Sequence, residues 1–139
     1  MKKYTYETVV PTAPDKLYRA LADVASWPAW DSDIESIEAP EPIAAGARFT
    51  LKPKGAPAVA MTVEAAEPSR RFVDVSHLAL AKMRTAHEME VVTGGTRVRM
   101  VIEITGLLAF LWDRVVARKQ AAGAEAQTQA LVRYAEAAA

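Results

Sequence analysis

The chain has 139 residues, 51% of them hydrophobic, with 17 basic and 17 acidic side chains and hence zero formal charge. That is the length of one ordinary domain, here 1–139, with enough apolar material for a sizeable core, and it lacks the basic excess of a nucleic-acid-binding surface. There is no cysteine, which removes disulfides, thiol catalysis and thiolate metal sites. The N-terminal MKKYTYETVV holds no apolar core of signal-peptide length, and the longest apolar run, Gly106 to Trp112, is too short to span a bilayer. A soluble, cytoplasmic protein without a transmembrane segment is expected.

Tyr4 to Val10 is rich in aromatic and β-branched residues and reads as a first strand. Pro14 then suits the first position of a helix, where its missing N–H costs nothing. Asp15 complements the positive helix end. Leu17, Ala20, Leu21 and Val24 follow at helical spacing, and Pro28 stops the segment in the aromatic turn Trp27-Pro28-Ala29-Trp30.

Strand signals run from Ile34 to Ile104. Phe49 and Leu51 alternate with Arg48 and Thr50; Met61 and Val63 with Thr62 and Glu64; Val73, Val75 and His77 with Asp74 and Ser76. Met83, Thr85, His87, Met89 and Val91 share one face, with Arg84, Glu88 and Glu90 on the other. Thr93-Gly94-Gly95-Thr96 signals a hairpin. Val98, Met100, Ile102 and Ile104 then oppose Arg97, Arg99 and Glu103. Such alternation marks antiparallel strands with one buried and one wet face. Val75 and His77 are expected to point inward, and Arg71, Arg84, Arg97 and Arg99 outward, paired with glutamates across strands.

After Gly106 the period becomes helical almost to the end, with Phe110, Ala117, Ala121, Ala124, Thr128, Leu131 and Ala135 on one stripe. Gly123 is a weak point, costing about 1 kcal/mol relative to Ala. The inward sheet face carries large side chains, several of them methionine, while the helix stripe is mostly alanine. A curved sheet cannot follow a straight helix along its whole length, so a void at one end is expected, lined by adaptable groups.

The Ala13-Pro14 start, the Leu21-Ala22-Asp23 step, the Trp27-Pro28-x-Trp30-Asp31 turn, Gly46 entering a strand, His87 in a late strand, Gly95-Thr96-Arg97-Val98 and Thr105-Gly106 before a long last helix stand in an order that resembles the polyketide cyclase/dehydrase, START-like (SRPBCC, Bet v 1-like) superfamily. The resemblance covers nearly the whole chain. It implies an α+β helix-grip fold: a curved antiparallel sheet of about seven strands wrapped around a long C-terminal helix, with two short helices after strand 1. It also implies a cavity for lipids, polyketides or other apolar ligands; some members of the superfamily catalyse cyclisation or dehydration.

The expected ligand-binding residues are Trp30, Phe49, Leu51, Met61, Val75, His77, Met83, Thr85, His87, Met89, Met100, Ile102, Phe110, Ala117 and Ala121. His87 is the candidate acid or base, since an imidazole titrates near neutrality. Trp27 and Trp30 read as pins for the turn, with Trp30 also a candidate cavity wall. His77, His87 and Asp113 are too sparse a set for a metal site, and neither metal nor cofactor is expected. No Ser-His-Asp arrangement, phosphate loop or nucleotide fingerprint is visible. The leading expectation is a binding protein for an apolar or aromatic small molecule, with no chemistry of its own. The alternative is a polyketide cyclase, aromatase or dehydratase using His87, and an interaction module is a third class. Homodimerisation is left open.

Overall fold

The computed structural model describes residues 2–138. Seven strands form one sheet: β1 (Lys2–Val10), β2 (Ile34–Glu38), β3 (Arg48–Pro53), β4 (Val59–Glu67), β5 (Arg71–Leu78), β6 (Ala81–Val92) and β7 (Gly95–Thr105). Their order is β1-β7-β6-β5-β4-β3-β2, and every pairing is antiparallel. A bulge between Val63 and Ala65 in β4 re-aims that strand, as an extra residue on one side of a ladder does.

Two short helices follow β1: α1 (Pro14–Ala22) and, after a 3-10 turn at Val24–Ser26, α2 (Trp27–Trp30). Pro14 sits at the start of α1, and Leu17, Ala20 and Leu21 form its buried face. Trp27 fixes the turn to the core. Its indole N–H donates to the Leu21 carbonyl at 3.0 Å, and its ring meets Phe49 and Phe72 edge-on at 5.7 and 6.2 Å between centroids, the preferred aromatic geometry.

The C-terminal arm is helical from Ala109 to Ala137: α3 (Ala109–Trp112), a π-helical turn (Asp113–Ala117), α4 (Arg118–Ala122) and α5 (Ala124–Ala137). Gly123 interrupts the α-helical run, yet its N–H still donates to the Lys119 carbonyl at 3.1 Å, and Gln127 N–H donates to Gly123 at 2.9 Å. Hydrogen bonds therefore cross the break, which falls where the sequence places its weakest helix former. No helix among the described residues is long and apolar enough to cross a membrane.

The arm and the short helices cover one face of the sheet. Its apolar residues form two clusters. One joins Leu17, Leu21, Val24, Trp27, Phe49, Met61, Val63, Phe72, Met89 and Val98 to Leu131 and Ala135 of α5. The other joins Met83, Met100, Ile102 and Ile104 to Ala117 and Ala124. The opposite face carries a small patch, Ala65, Val73, Ala86 and Val101, ringed by ion pairs such as Arg84–Glu64 at 2.8 Å and Arg97–Glu90 at 2.9 Å.

Two expectations are corrected here. Val75 and His77 lie on the outer face, with Arg71 and Val73: Val75 is half-buried opposite Arg84, and His77 is exposed, its Nε2 2.8 Å from the Thr62 hydroxyl. The inward residues of β5 are Phe72, Asp74 and Ser76. Phe110 also points outward, 70% exposed. A π turn accommodates about one extra residue relative to the α-helical phase, roughly 100° of rotation, so residues before Asp113 fall out of step with the stripe that begins at Ala117. Asp113 takes the inward place and is buried.

Candidate functional site

The inward face of β6 reads Met83, Thr85, His87, Met89. Met83 belongs to the methionine–alanine cluster and Met89 to the aromatic one, so Thr85 and His87 sit at the seam between them. Strand register adds their neighbours: Asp74 of β5 and Ile102 of β7 lie opposite Thr85, and Phe72 and Met100 lie opposite His87. Directly opposed side chains in an antiparallel pair stand about 4.5–5.5 Å apart at Cβ. Asp74, Ser76, Thr85 and His87 thus form a polar band across an otherwise apolar face, and all four are buried.

The band is incompletely satisfied. Ser76 donates to the Met61 sulfur at 3.2 Å, but Thr85 Oγ1 and His87 Nδ1 are buried with no hydrogen-bond partner among the described residues. Burial disfavours charge at both titratable members, so the Asp74 carboxyl is pushed up to about 7 and the His87 imidazole down to about 4. Near neutral pH His87 is a neutral ring, able to accept at one nitrogen and donate at the other. Asp74 exchanges a proton within the physiological range. Together with the Thr85 hydroxyl, the band can meet a hydroxyl or carbonyl group in either hydrogen-bonding sense.

A cavity of about 160 Å³ opens beside this band, between β1 and the helical arm, lined by Tyr4, Thr5, Tyr6, Met100, Ile102, Ala121 and Ala124. Met100 and Ile102 are the β7 partners of His87 and Thr85, so the cavity ends one strand away from the unpartnered atoms. It exists because Ala121 and Ala124 leave volume where larger side chains would reach the sheet. At its rim the Tyr4 hydroxyl donates to Asp113 Oδ1 at 2.6 Å, and Arg118 stands 3.5 Å from Asp113 Oδ2. The bond to Asp113 is the main reason that the Tyr4 hydroxyl is held above its ordinary pKa. A second groove of about 320 Å³ runs along β1 and α5, between Tyr6, Thr8, Val10, Thr128 and Val132.

Of the expected site residues, the structure brings Met100, Ile102 and Ala121 to the cavity and sets Thr85 and His87 next to it, with Met83 and Ala117 in the same cluster. Phe49, Met61 and Met89 are packed within the aromatic core, and Leu51 and Trp30 lie against it. The expected cavity touching Phe49, Met61 and Met89 is therefore displaced toward β1. Trp30 also keeps a buried indole N–H without a partner among the described residues. Val75, His77 and Phe110 face away. No three His, Asp or Glu side chains among the described residues converge as a metal site would require.

Sequence reasoning missed Asp74, Ser76 and Tyr4; Asp113 was weighed only as a third metal ligand, not as the partner of the Tyr4 hydroxyl. One signal for Asp74 was present: Arg71 shares parity with Val73, Val75 and His77, and an outward Arg71 forces Asp74 inward.

A family model described as "Polyketide cyclase / dehydrase and lipid transport" matches residues 1–136. No curated protein matches the chain. Among solved structures, hypothetical protein jhp0584 from Helicobacter pylori is 18% identical, with a TM-score of 0.78 over 96% of this chain and 88% of that one. TTHA0849 from Thermus thermophilus is 16% identical, with a TM-score of 0.73 over 99% of each chain. The di-domain ARO/CYC BexL from the BE-7585A biosynthetic pathway is 18% identical, with a TM-score of 0.72 over 94% of this chain and 45% of that one. At these identities the likeness shows the fold.

Proposed function

The chain belongs to the polyketide cyclase/dehydrase and lipid transport family, and we propose that it binds one small, neutral molecule, lipid- or polyketide-like, between the sheet and the helical arm. The apolar body lies among Met83, Met100, Ile102, Ala117 and Ala121, and a hydroxyl or carbonyl reaches Thr85, His87 and Asp74. The observation that carries this reading is the pair of buried, unpartnered polar atoms, Thr85 Oγ1 and His87 Nδ1, one strand from the cavity. An unsatisfied buried polar group costs about 1–3 kcal/mol, so two side by side favour a site that a ligand or water completes.

The charge pattern supports a neutral ligand. The buried ionisable side chains among the described residues are Asp74, His87 and Asp113, with no buried lysine or arginine. A carboxylate entering the band would meet an acidic side chain and a neutral imidazole, with no cation to replace its lost hydration. The test is a matched pair of probes titrated by calorimetry. 2-Naphthol binds with micromolar-scale Kd, about −8 kcal/mol, and at least tenfold more tightly than 2-naphthoate. Thr85→Val and His87→Phe each narrow that difference. Equal or tighter binding of the carboxylate contradicts the reading.

A second reading, a cyclase or dehydratase, is favoured by the placing of two buried titratable side chains, Asp74 and His87, on one face of neighbouring strands, where burial pushes the carboxyl up and keeps the imidazole neutral, a pairing suited to proton transfer near neutral pH. With a poly-β-ketone substrate followed by absorbance, His87→Phe would then abolish ring closure while the same variant still bound the substrate. A wild-type protein that binds such a chain without altering it leaves the binding role alone. Within the cell we place the protein in the cytoplasm.

A further inference from the structure

Leu80, Leu107, Phe110 and Leu111 are large apolar side chains left in solvent, the first three at 64, 78 and 70% exposure. They belong to one tip of the molecule. Leu80 lies in the turn between β5 and β6, Leu107 in the link that follows Gly106, and Phe110 and Leu111 in the first turn of the arm. The Leu108 N–H donates to the Leu80 carbonyl at 3.0 Å, and the Trp112 indole donates to the Ala79 carbonyl at 2.8 Å, which pins turn and arm side by side. Gly106 permits this approach: its φ is +117°, and a Cβ there would stand 2.6 Å from the Ala81 Cα.

The same tip is basic. Lys2 lies opposite Ile104 and Lys82 opposite Thr105, at the ends of their strands, and Lys3, next to Lys2, lies opposite Glu103. Arg114 follows Phe110 by one helical turn and is exposed. None of these four cations forms an ion pair among the described residues, whereas Arg84, Arg97 and Arg99 of the outer sheet face pair with glutamates. Of the nearby acids, Glu103 pairs with Arg84, and Asp113 is buried against Tyr4.

We propose that this tip docks on the surface of an anionic lipid bilayer, with Leu107 and Phe110 entering the interfacial layer and Lys2, Lys3, Lys82 and Arg114 resting on the headgroups. Exposed apolar groups rimmed by cations match both layers of such a surface. A second copy of the chain would set the same cations against themselves across a two-fold axis.

The experiment is co-sedimentation of the full chain with vesicles of phosphatidylglycerol and phosphatidylcholine, against pure phosphatidylcholine, at low and high salt. Binding is expected on the anionic vesicles only, falling with salt. Leu107→Ser/Phe110→Ser weakens it more than tenfold. Lys2→Gln/Lys3→Gln/Lys82→Gln/Arg114→Gln does the same, each cation being worth about fivefold near an anionic surface, and flattens the salt dependence. The changes are on exposed side chains, and circular dichroism checks that the fold survives. Lys16→Gln/Arg70→Gln/Arg133→Gln, away from the tip, binds as the parent does. No binding to anionic vesicles, unchanged binding in both tip variants, or an equal loss in the distant variant overturns the proposal. So does a sedimentation-velocity dimer that the Leu107→Ser/Phe110→Ser variant dissociates.

Discussion

The two ends of the inward sheet face are filled with different kinds of side chain. At the α1–α2 end, Trp27, Phe49 and Phe72 meet edge to face, and α5 contributes Leu131. At the other end, Met83, Met100 and Ile102 face Ala117, Ala121 and Ala124. Rigid rings interlock at the first end, and the 320 Å³ groove along β1 and α5 touches none of them, while small helix residues opposite flexible methionines leave about 160 Å³ open at the second. Space is made by removing volume from the helix, and the polar band of Asp74, Thr85 and His87 lies where the two packing regimes meet.

Truncating a large side chain at each end should have very different costs. Trp27→Ala and Phe72→Ala should each destabilise by about 3–5 kcal/mol, the range for large aromatic deletions in a packed core. Met100→Ala, which already borders open space, should cost about 2 kcal/mol, the low end for its class. Urea denaturation midpoints decide it, and equal costs would erase the distinction.

The seam between the ends has its own signature in pH. Between about pH 4 and 6.5 an unfolded chain carries an ionised Asp74 and a protonated His87. The folded chain holds both neutral, because burial pushes them to about 7 and about 4. Each state then binds one proton across the pair, so the two linked contributions offset and stability from this pair is flat. His87, its folded pKa lowered, costs nothing above about 6.5 and costs progressively more as pH falls toward 4. Asp74, its folded pKa raised, costs nothing below about 4 and progressively more as pH rises toward 7. Asp74→Asn removes the second effect. Its stability relative to wild type should fall on acidification by up to about 1.4 kcal/mol per pH unit over that window. His87→Gln should show the reverse slope. Parallel pH profiles in all three proteins would refute the paired burial.

Filling the open end is a smaller perturbation. Ala121→Leu should weaken 2-naphthol binding at least tenfold, about 1.4 kcal/mol, with little change in folding stability, because the added side chain enters existing space. A large loss of stability would mean that the space is already filled. The smallest effect is expected at Gly123, the defect in the arm. Its φ of −92° suits any residue, and a Cβ there meets nothing closer than 3.6 Å. Gly123→Ala should therefore stabilise by about 0.5–1 kcal/mol, read as a rise in thermal midpoint. No change would mean that the helix gains nothing from Ala at this position.

The antiparallel strands and the arm were legible because alternation, the glycine hairpin and the 3.6-residue stripe are local signals, while the count of about seven strands in one curved sheet came with the family resemblance. The band at β5 was not legible, because Phe72-Val73-Asp74-Val75 offers apolar residues to both faces. A small outer cluster of Ala65, Val73, Ala86 and Val101 buries the valine that parity alone would send inward. Phe110 was misread for a different reason. No residue pattern announces the π turn at Asp113–Ala117, which slips the helical phase between Phe110 and Ala117. His87, Thr85, Met100 and Ile102 were placed on the correct face because β6 and β7 carry charge strictly on the other one.

In the proposed function, His87 and Thr85 complete their hydrogen bonds with a ligand. The chain has two histidines, one buried in the band and one exposed on the opposite sheet face, so nitrogen-15 NMR of the imidazoles carries its own control. Addition of 2-naphthol should shift the His87 ring nitrogens, Nδ1 most, and leave His77 unmoved, with Thr85→Val reducing the effect. A His87 signal that ignores a probe shown by calorimetry to bind, or equal shifts at both histidines, would contradict the account.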